Sequence, residues 1–449
     1  MSFFRSTSEL SATLAEAVPP VAGSPETEVM SAQHTSEILD EAILASSSRV
    51  RDSLPEQYHK HFETLRDEII DFAQAHGIPR DTLAKPDALR EAAKKLSIPD
   101  LKRLANLFER FKHLLVHHEF MKEEIDPAKA LEYAEKYYHL EKQYTSQVEL
   151  LEQAGILKGY AILGIDGNKY LIPTLEQIAI RLFERREDLE TKHDQGFTKL
   201  LLVPFGMSLD ILRETLKRFL LDYKKKNPDF YLNIDDPFQT LGGYQGADIG
   251  DSPKLVYYPQ SFDEDDHQGM TKMEILGKQE TPGQARGDRE RQSDNGWRGW
   301  TIHLLQPSNM DDKDTEIPKG FALIPEEGQG TTQGNRPSLE ADKTPNKYLS
   351  ILKEAKYDPN SPYFQESGMT PEDWIMAFML HLQETGKSLD DMRNPTNTES
   401  ASYLTGAFFQ FSIRVPCAFW SCKFQVACLG EKTPHGRDNI IGIRSSVVI

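Results

Sequence analysis

From about residue 55 to residue 155 the apolar positions recur at helical spacing. Leu101, Leu104, Leu107, Phe108, Phe111, Leu114 and Leu115 make one stripe, and Leu131, Ala134, Tyr137, Leu140, Tyr144, Val148 and Leu151 make a second. Asp100 stands where a cap would precede the first stripe, and Gly155 closes the second. Residues 51–155 are therefore expected to form an antiparallel helical hairpin or small bundle. Before them, residues 1–50 are rich in Ser, Ala, Glu and Thr, with Pro19-Pro20 and Ser46-Ser47-Ser48, and predict a disordered leader with one short helix around 38–44.

The period changes after residue 155. Segments 160–165 and 169–172 flank Asp166-Gly167-Asn168 as the arms of a hairpin. Thr174 and Gln177 make a capping box for a helix with Leu175, Ile178, Ala179, Leu182 and Phe183 on one face. Residues 199–203 are a buried-strand candidate, and Ser208 caps a further helix. This alternation predicts a mixed α/β domain over 156–295, ending in a polar, breaker-rich loop at 279–295.

In the last part, 297–305 and 321–324 are expected strands. Thr344-Pro345 and Thr370-Pro371-Glu372-Asp373 are helix starts, each with a threonine cap and proline in the first turn. Short strands and turns follow from residue 400. The fold class is α+β, with residues 296–449 as the C-terminal domain.

Composition narrows the chemistry. The 449 residues carry a net charge of −18, with 38% hydrophobic and 27% charged residues, and a mean hydropathy of −0.55. Such an acid excess argues against nucleic acid and against anionic membranes as partners. No apolar run reaches the roughly 18 residues that span a bilayer, and the first residues lack the apolar stretch of a signal peptide. A cytoplasmic protein is expected. Three cysteines are too few for a disulfide framework.

Several suggestive clusters read better as structure. His117-His118-Glu119 would not share a helix face. The glycine-rich segment 241–246 lacks the spacing of a phosphate loop and a helix to follow it. The acidic run 263–267 lacks the alternation and glycine of a calcium loop. His381 lies on the apolar stripe of its helix, as a core histidine would. No catalytic motif and no cofactor motif are found.

The cysteines are the exception. Cys417, Cys422 and Cys428 all fall within one short segment. With His435 they would make three thiolates and an imidazole, a legitimate zinc set, but C-x4-C-x5-C-x6-H lacks the tight C-x2-C knuckle. A Cys–His nucleophile would additionally need a base within reach of an activated thiolate.

Residues 328–345, 369–374 (Met-Thr-Pro-Glu-Asp-Trp), 389–391, 403–408, Val415-Pro416, Trp420 and Gly442-Ile-Arg-Ser445 resemble proteins of candidate-phylum bacteria to which no activity is attached. Segment 198–207 looks like part of the same pattern, which covers about two thirds of the chain. The C-terminal part also resembles the variable proteins of diversity-generating retroelements. The resemblance implies a C-type-lectin-like (formylglycine-generating-enzyme-like) domain whose final strands and loops carry diversified, ligand-facing residues.

Diversification in that system acts at adenines, which turns tyrosine codons into those for Phe, Ser or Cys. Those types recur here as Cys417, Phe419, Ser421, Cys422, Phe424 and Cys428, and no tyrosine follows Tyr403. The resemblance thus implies a ligand-binding face of Cys417, Phe419, Ser421, Cys422, Lys423, Phe424 and Cys428, held on a scaffold that includes Trp374, Trp420 and Arg444. Phe419 and Phe424 would be the anchors. The expected function is non-enzymatic binding of a protein or small molecule, with the N-terminal helices available to a protein partner. The alternative is a metal-binding protein or Cys/His-dependent enzyme that uses Cys417, Cys422, Cys428 and His435.

Overall fold

The computed structural model describes residues 56–79, 125–279, 297–309, 317–356, 358–392 and 400–449, with a few single positions between 83 and 107. The chain divides into two compact units, residues 1–124 and 125–449. The expected leader, most of the stripe at 101–115, the His117-His118-Glu119 cluster and nearly all of the loop at 279–295 lie outside the described residues. In the first unit, helix α1 (Glu56–Ala75) buries Phe62, Leu65, Ile69 and Phe72, spaced three or four apart as one face of a helix requires. Leu104 and Leu107 are buried there as well.

The second unit begins earlier than the expected boundary, because the stripe at 131–151 belongs to it. The stripe is also two helices, α2 (Pro127–Tyr138) and α3 (Leu140–Gln153), broken at His139 with φ +49°. The break rotates the buried face onto Ala130, Ala134 and Tyr138, then onto Gln143, Gln147 and Leu150, leaving Tyr137 exposed. The two glutamines have a structural use. Gln143 donates to Thr198 O and accepts from Leu200 N, and Gln147 donates to Leu200 O and accepts from Leu202 N, at 2.8–3.0 Å. Their amides thereby occupy the open edge of the strand that contains Leu200 and Leu202, which would otherwise present unpaired backbone groups.

Strands β1 (Ala161–Leu163) and β2 (Lys169–Leu171) form the expected hairpin, with Gly167 at φ +79° in its turn. Helix α4 (Leu175–Glu184) starts at the Thr174–Gln177 capping box, and α5 (Arg186–Asp194) follows directly. Then come β3 (Lys199–Val203) and α6 (Leu209–Lys226), capped by Ser208. After them lie β4 (Phe238–Thr240), β5 (Leu255–Tyr257), α7 (Lys272–Lys278) and β6 (Thr301–Leu305). Residues 321–324 form no strand; Ala322 makes one backbone bond, to Gln306 O at 2.9 Å. The remaining helices are α8 (Pro345–Ala355) and α9 (Pro371–Thr385), both capped by the predicted threonines. Strands β7 (Thr332–Gln333), β8 (Arg336–Pro337), β9 (Glu366–Gly368), β10 (Asp391–Met392), β11 (Ala401–Tyr403) and β12 (Ala407–Phe409) lead to the hairpin β13 (Val415–Ser421) and β14 (Val426–Lys432). Strands β15 (Ile441–Ile443) and β16 (Ser445–Val448) follow it.

The second unit is α+β, and its sheets ignore the expected boundary at residue 295. One sheet runs β3-β6-β16-β9 and another β15-β11-β13-β14-β4, with β10 also paired to β13. Each therefore joins strands from both sides of that boundary. The reason is that β3 and β4 are short, β3 is buried throughout, and neither has enough sequence-adjacent partners to close a sheet. Helix α9 packs on β3, β13 and α6. Residues 371–382 are all buried, which explains why this helix has no continuous polar face. Among the described residues no helix is long and apolar enough to cross a membrane.

Candidate functional site

The hairpin β13–β14 carries the residues singled out from the sequence. Its antiparallel register sets Phe419 opposite Cys428, Cys417 opposite Gly430 and Trp420 opposite Ala427. Side chains alternate across a strand, so Cys417, Phe419 and Ser421 share one face with Cys428. Ala418, Trp420, Ala427 and Leu429 occupy the other face and enter the main core. A Cβ placed on Gly430 would lie 3.2 Å from Cys417 Sγ, so a side chain here would crowd the thiol.

Three of the seven residues expected on the binding face are buried. Cys417 is 1% exposed and Cys428 3%, and Ser421 is buried too. Cys417 is covered by a second cluster with Tyr348, Tyr403, Ile441 and Ile443, in which Tyr348 of α8 packs on residues of the neighbouring strands β11 and β15 of the same sheet. Phe419 is half-buried at the margin of that cluster, and Cys422 is half-buried with its thiol toward Met392 O at 3.7 Å. Lys423 and Phe424 are exposed at the tip, with Lys423 Nζ 5.2 Å from the centre of the Phe424 ring.

The tip is a tight turn in which Gln425, at φ +57°, donates to Ser421 O. Asn233 N donates to Gln425 O at 2.9 Å, which brings the loop before β4 alongside it. Three large apolar side chains are open to solvent in these two segments: Phe424 at 60%, Tyr231 at 74% and Ile234 at 61%. No local spacing marks Tyr231 and Ile234, because the pairing of β4 with β14 is parallel and long-range.

The three residues expected as scaffold meet at Asp390, within the segment 389–391. Asp390 Oδ2 accepts from Trp374 Nε1 at 2.8 Å, Oδ1 accepts from Arg444 Nη2 at 2.6 Å, and the Asp390 carbonyl accepts from Trp420 N at 2.8 Å. Asp390 itself sits at φ +55° and is fully buried. Burial pushes its carboxyl up, against the pull of Arg444 and Trp374. The next residue, Asp391, is raised to about 6 by burial.

Two further constellations have catalytic residue types. Ser446 Oγ lies 2.9 Å from His303 Nδ1, and His303 Nε2 lies 3.2 Å from Asp373 Oδ1. All three are buried, and the His303–Asp373 pair lacks hydrogen-bond alignment. A nucleophile needs access to its substrate, so this order of residue types does not make a hydrolytic site; Asp373 serves α9 as its capping-box acid. The other, Lys272 with Asp248, Glu372 and Tyr257, is wholly buried.

Among the described residues no group of three His, Cys, Asp or Glu side chains is placed to hold a metal ion. Cys417, Cys422, Cys428 and His435 are accordingly not gathered. His435 is exposed and its Nδ1 lies 3.0 Å from Asn346 Nδ2. Burial pushes the Cys417 and Cys428 thiols up to about 12, which is opposite to what a ligand thiolate or a nucleophile requires. The remaining suspects are structural. His381 Nδ1 accepts from Phe321 N at 2.9 Å, the glycines at 241–246 form a turn with no helix after it, and residues 263–266 are exposed. No family model, curated protein or solved structure matches this chain.

Proposed function

We propose that the protein is a non-enzymatic binding protein whose ligand face is the tip and outer side of the β13–β14 hairpin. Its second unit would then be a C-type-lectin-like scaffold, and the hairpin a segment varied by a retroelement. The observation that carries this reading is the division of the hairpin by strand alternation. Trp420 and its neighbours fill the core on one side, whereas Phe419, Cys422, Lys423 and Phe424 are half-buried or exposed. Substitution at Lys423 and Phe424 leaves the core in place, as a variable face on a fixed frame demands, while Phe419 and Cys422 sit at its margin, each packed in part against a core cluster. Cys417, Ser421 and Cys428 lie beneath the face, where a change alters its support instead of touching the ligand.

Phe424 is the anchor expected to supply most of the binding energy, with Tyr231 and Ile234 of the adjoining loop as its neighbours. Three thiols without a disulfide agree with a cytoplasmic location. A protein partner for the N-terminal helices remains part of the proposal.

Sequencing this gene across a natural population, together with its flanks, tests the reading. It predicts replacements concentrated at codons 417–428 and confined to adenines, with a near-repeat of that stretch beside a reverse-transcriptase gene. An invariant hairpin without such a repeat overturns the retroelement part. Panning the full chain against a displayed peptide library tests binding itself: enrichment by the wild type that is lost in F424A supports the face, and enrichment unaffected by F424A places binding elsewhere.

A further inference from the structure

Lys272 stands where neither helix chemistry nor hydration favours it. It is the first residue of α7, where the positive end of the helix dipole disfavours a cation. It is also fully excluded from solvent, as are Asp248 and Glu372. The position is held by its partners. Lys272 Nζ lies 2.6 Å from Asp248 Oδ2, 2.8 Å from Glu372 Oε1 and 2.8 Å from Met207 O. The rings of Phe205 and Tyr257 flank it, with centres 5.3 and 5.4 Å away.

Both carboxyls are fixed. Asp248 Oδ2 accepts from Leu209 N at 2.8 Å, and Glu372 Oε1 accepts from the Tyr257 hydroxyl at 2.7 Å. Asp248 Oδ1 and Glu372 Oε2 are buried and have no hydrogen-bond partner. One ammonium against two carboxylates leaves a net negative charge in a site closed to bulk solvent. Burial disfavours the Lys272 charge, but the two carboxylates beside it outweigh this and hold the amine above its usual range, so it turns nucleophilic only with a proton acceptor in contact. The site thus holds an amine in contact with an acid, a second acid to move protons, and surroundings that exclude water. These are the conditions under which an amine and a carboxyl condense.

We propose that Lys272 and Asp248 are joined by a side-chain amide that the protein forms by itself, with Glu372 as the proton relay. Lys272 Nζ, having passed a proton to Glu372 Oε1, attacks Asp248 Cγ. The Leu209 N–H holds Oδ2 as charge develops on it. The N–Cγ bond forms, the Cγ–Oδ1 bond breaks, and two of the three Nζ protons leave with Oδ1 as one water. No oxidant, reductant or co-reactant takes part. The product clasps the start of α7 to the turn before β5, across 24 positions of sequence.

Intact-mass measurement on the unfolded full chain, followed by peptide mapping, tests this. The wild type is expected one water below its sequence mass, with a branched peptide that joins Asp248 to Lys272. D248N is expected to lose ammonia instead and to reach the same final mass as the linked wild type, because both routes give the same amide. E372Q is expected to stay at its full sequence mass. A folded wild type at full sequence mass overturns the proposal, and so does a water loss that maps elsewhere, such as to Asp166-Gly167. Should E372Q fail to fold, the presence or absence of the branched peptide in the wild type still decides.

Discussion

Arg444 Nη2 lies 2.6 Å from Asp390 Oδ1, and both side chains are buried. This one bond connects the β15–β16 junction to the residue that also holds Trp374 and the backbone of Trp420. Arg444→Ala leaves a buried carboxylate without its partner, which costs about 3–5 kcal/mol. Urea denaturation of R444A, D390A and the double variant checks it. The double variant is expected to lose clearly less than the sum of the two single losses, since both remove the same contact.

Trp420 and Phe424, near the end of the hairpin, should behave oppositely. Trp420 is 4% exposed and packs against Phe230 and Phe378, so W420A is expected to cost about 3–5 kcal/mol. F424A should fall within about 0.5 kcal/mol of wild type, as exposed substitutions do. Equal losses in thermal or urea unfolding would contradict the division of the hairpin into frame and face.

Thiol reactivity should separate the cysteines. Cys417 and Cys428 are buried, and burial keeps both thiols protonated well past neutral pH; Cys422 is half-buried. Alkylation of the native protein at neutral pH is expected to label Cys422 first, with the other two reacting only on unfolding. Peptide mass analysis over a time course reads this directly.

Acid should destabilise the fold in part through His381. Burial, and then the positive charges of Arg444, Lys387 and Lys199, lower this imidazole to about 3. The unfolded chain binds the proton from about pH 6.5 downward and the folded chain does not, so stability falls as pH drops through that window. Between pH 7 and pH 5 the loss amounts to about 2 kcal/mol at roughly 1.4 kcal/mol per unit. Urea midpoints of wild type and H381N at the two pH values measure it, with a shallower dependence expected for H381N.

Local chemistry was legible in the sequence wherever neighbours in the chain decide the structure. The caps at Thr174, Ser208, Thr344 and Thr370, the turn at Gly167 and the strand at 199–203 all formed where the residue types put them. What failed depended on distant partners. The helix after the break at His139 turns Gln143 and Gln147 to the edge of β3, and polar residues at helical spacing look the same whether they face water or a strand. The burial of Cys417 depends on Tyr348 and Ile441, which no spacing within the hairpin records. Asp390 lies within the segment 389–391, but its role is not legible there because its three partners are scattered from residue 374 to residue 444.

The placement of β16 between β6 and β9 has a consequence during synthesis. An interior strand of this sheet is made after every other strand in it, and after the hairpin as well. The sheet therefore cannot close on a ribosome that has not yet read past the segment proposed to vary. A stop codon or frameshift introduced there would leave a chain without its interior strand, exposed to cellular proteases. Only variants read in frame to residue 448 would accumulate, so the topology itself would act as a proofreading step on the hairpin's diversity.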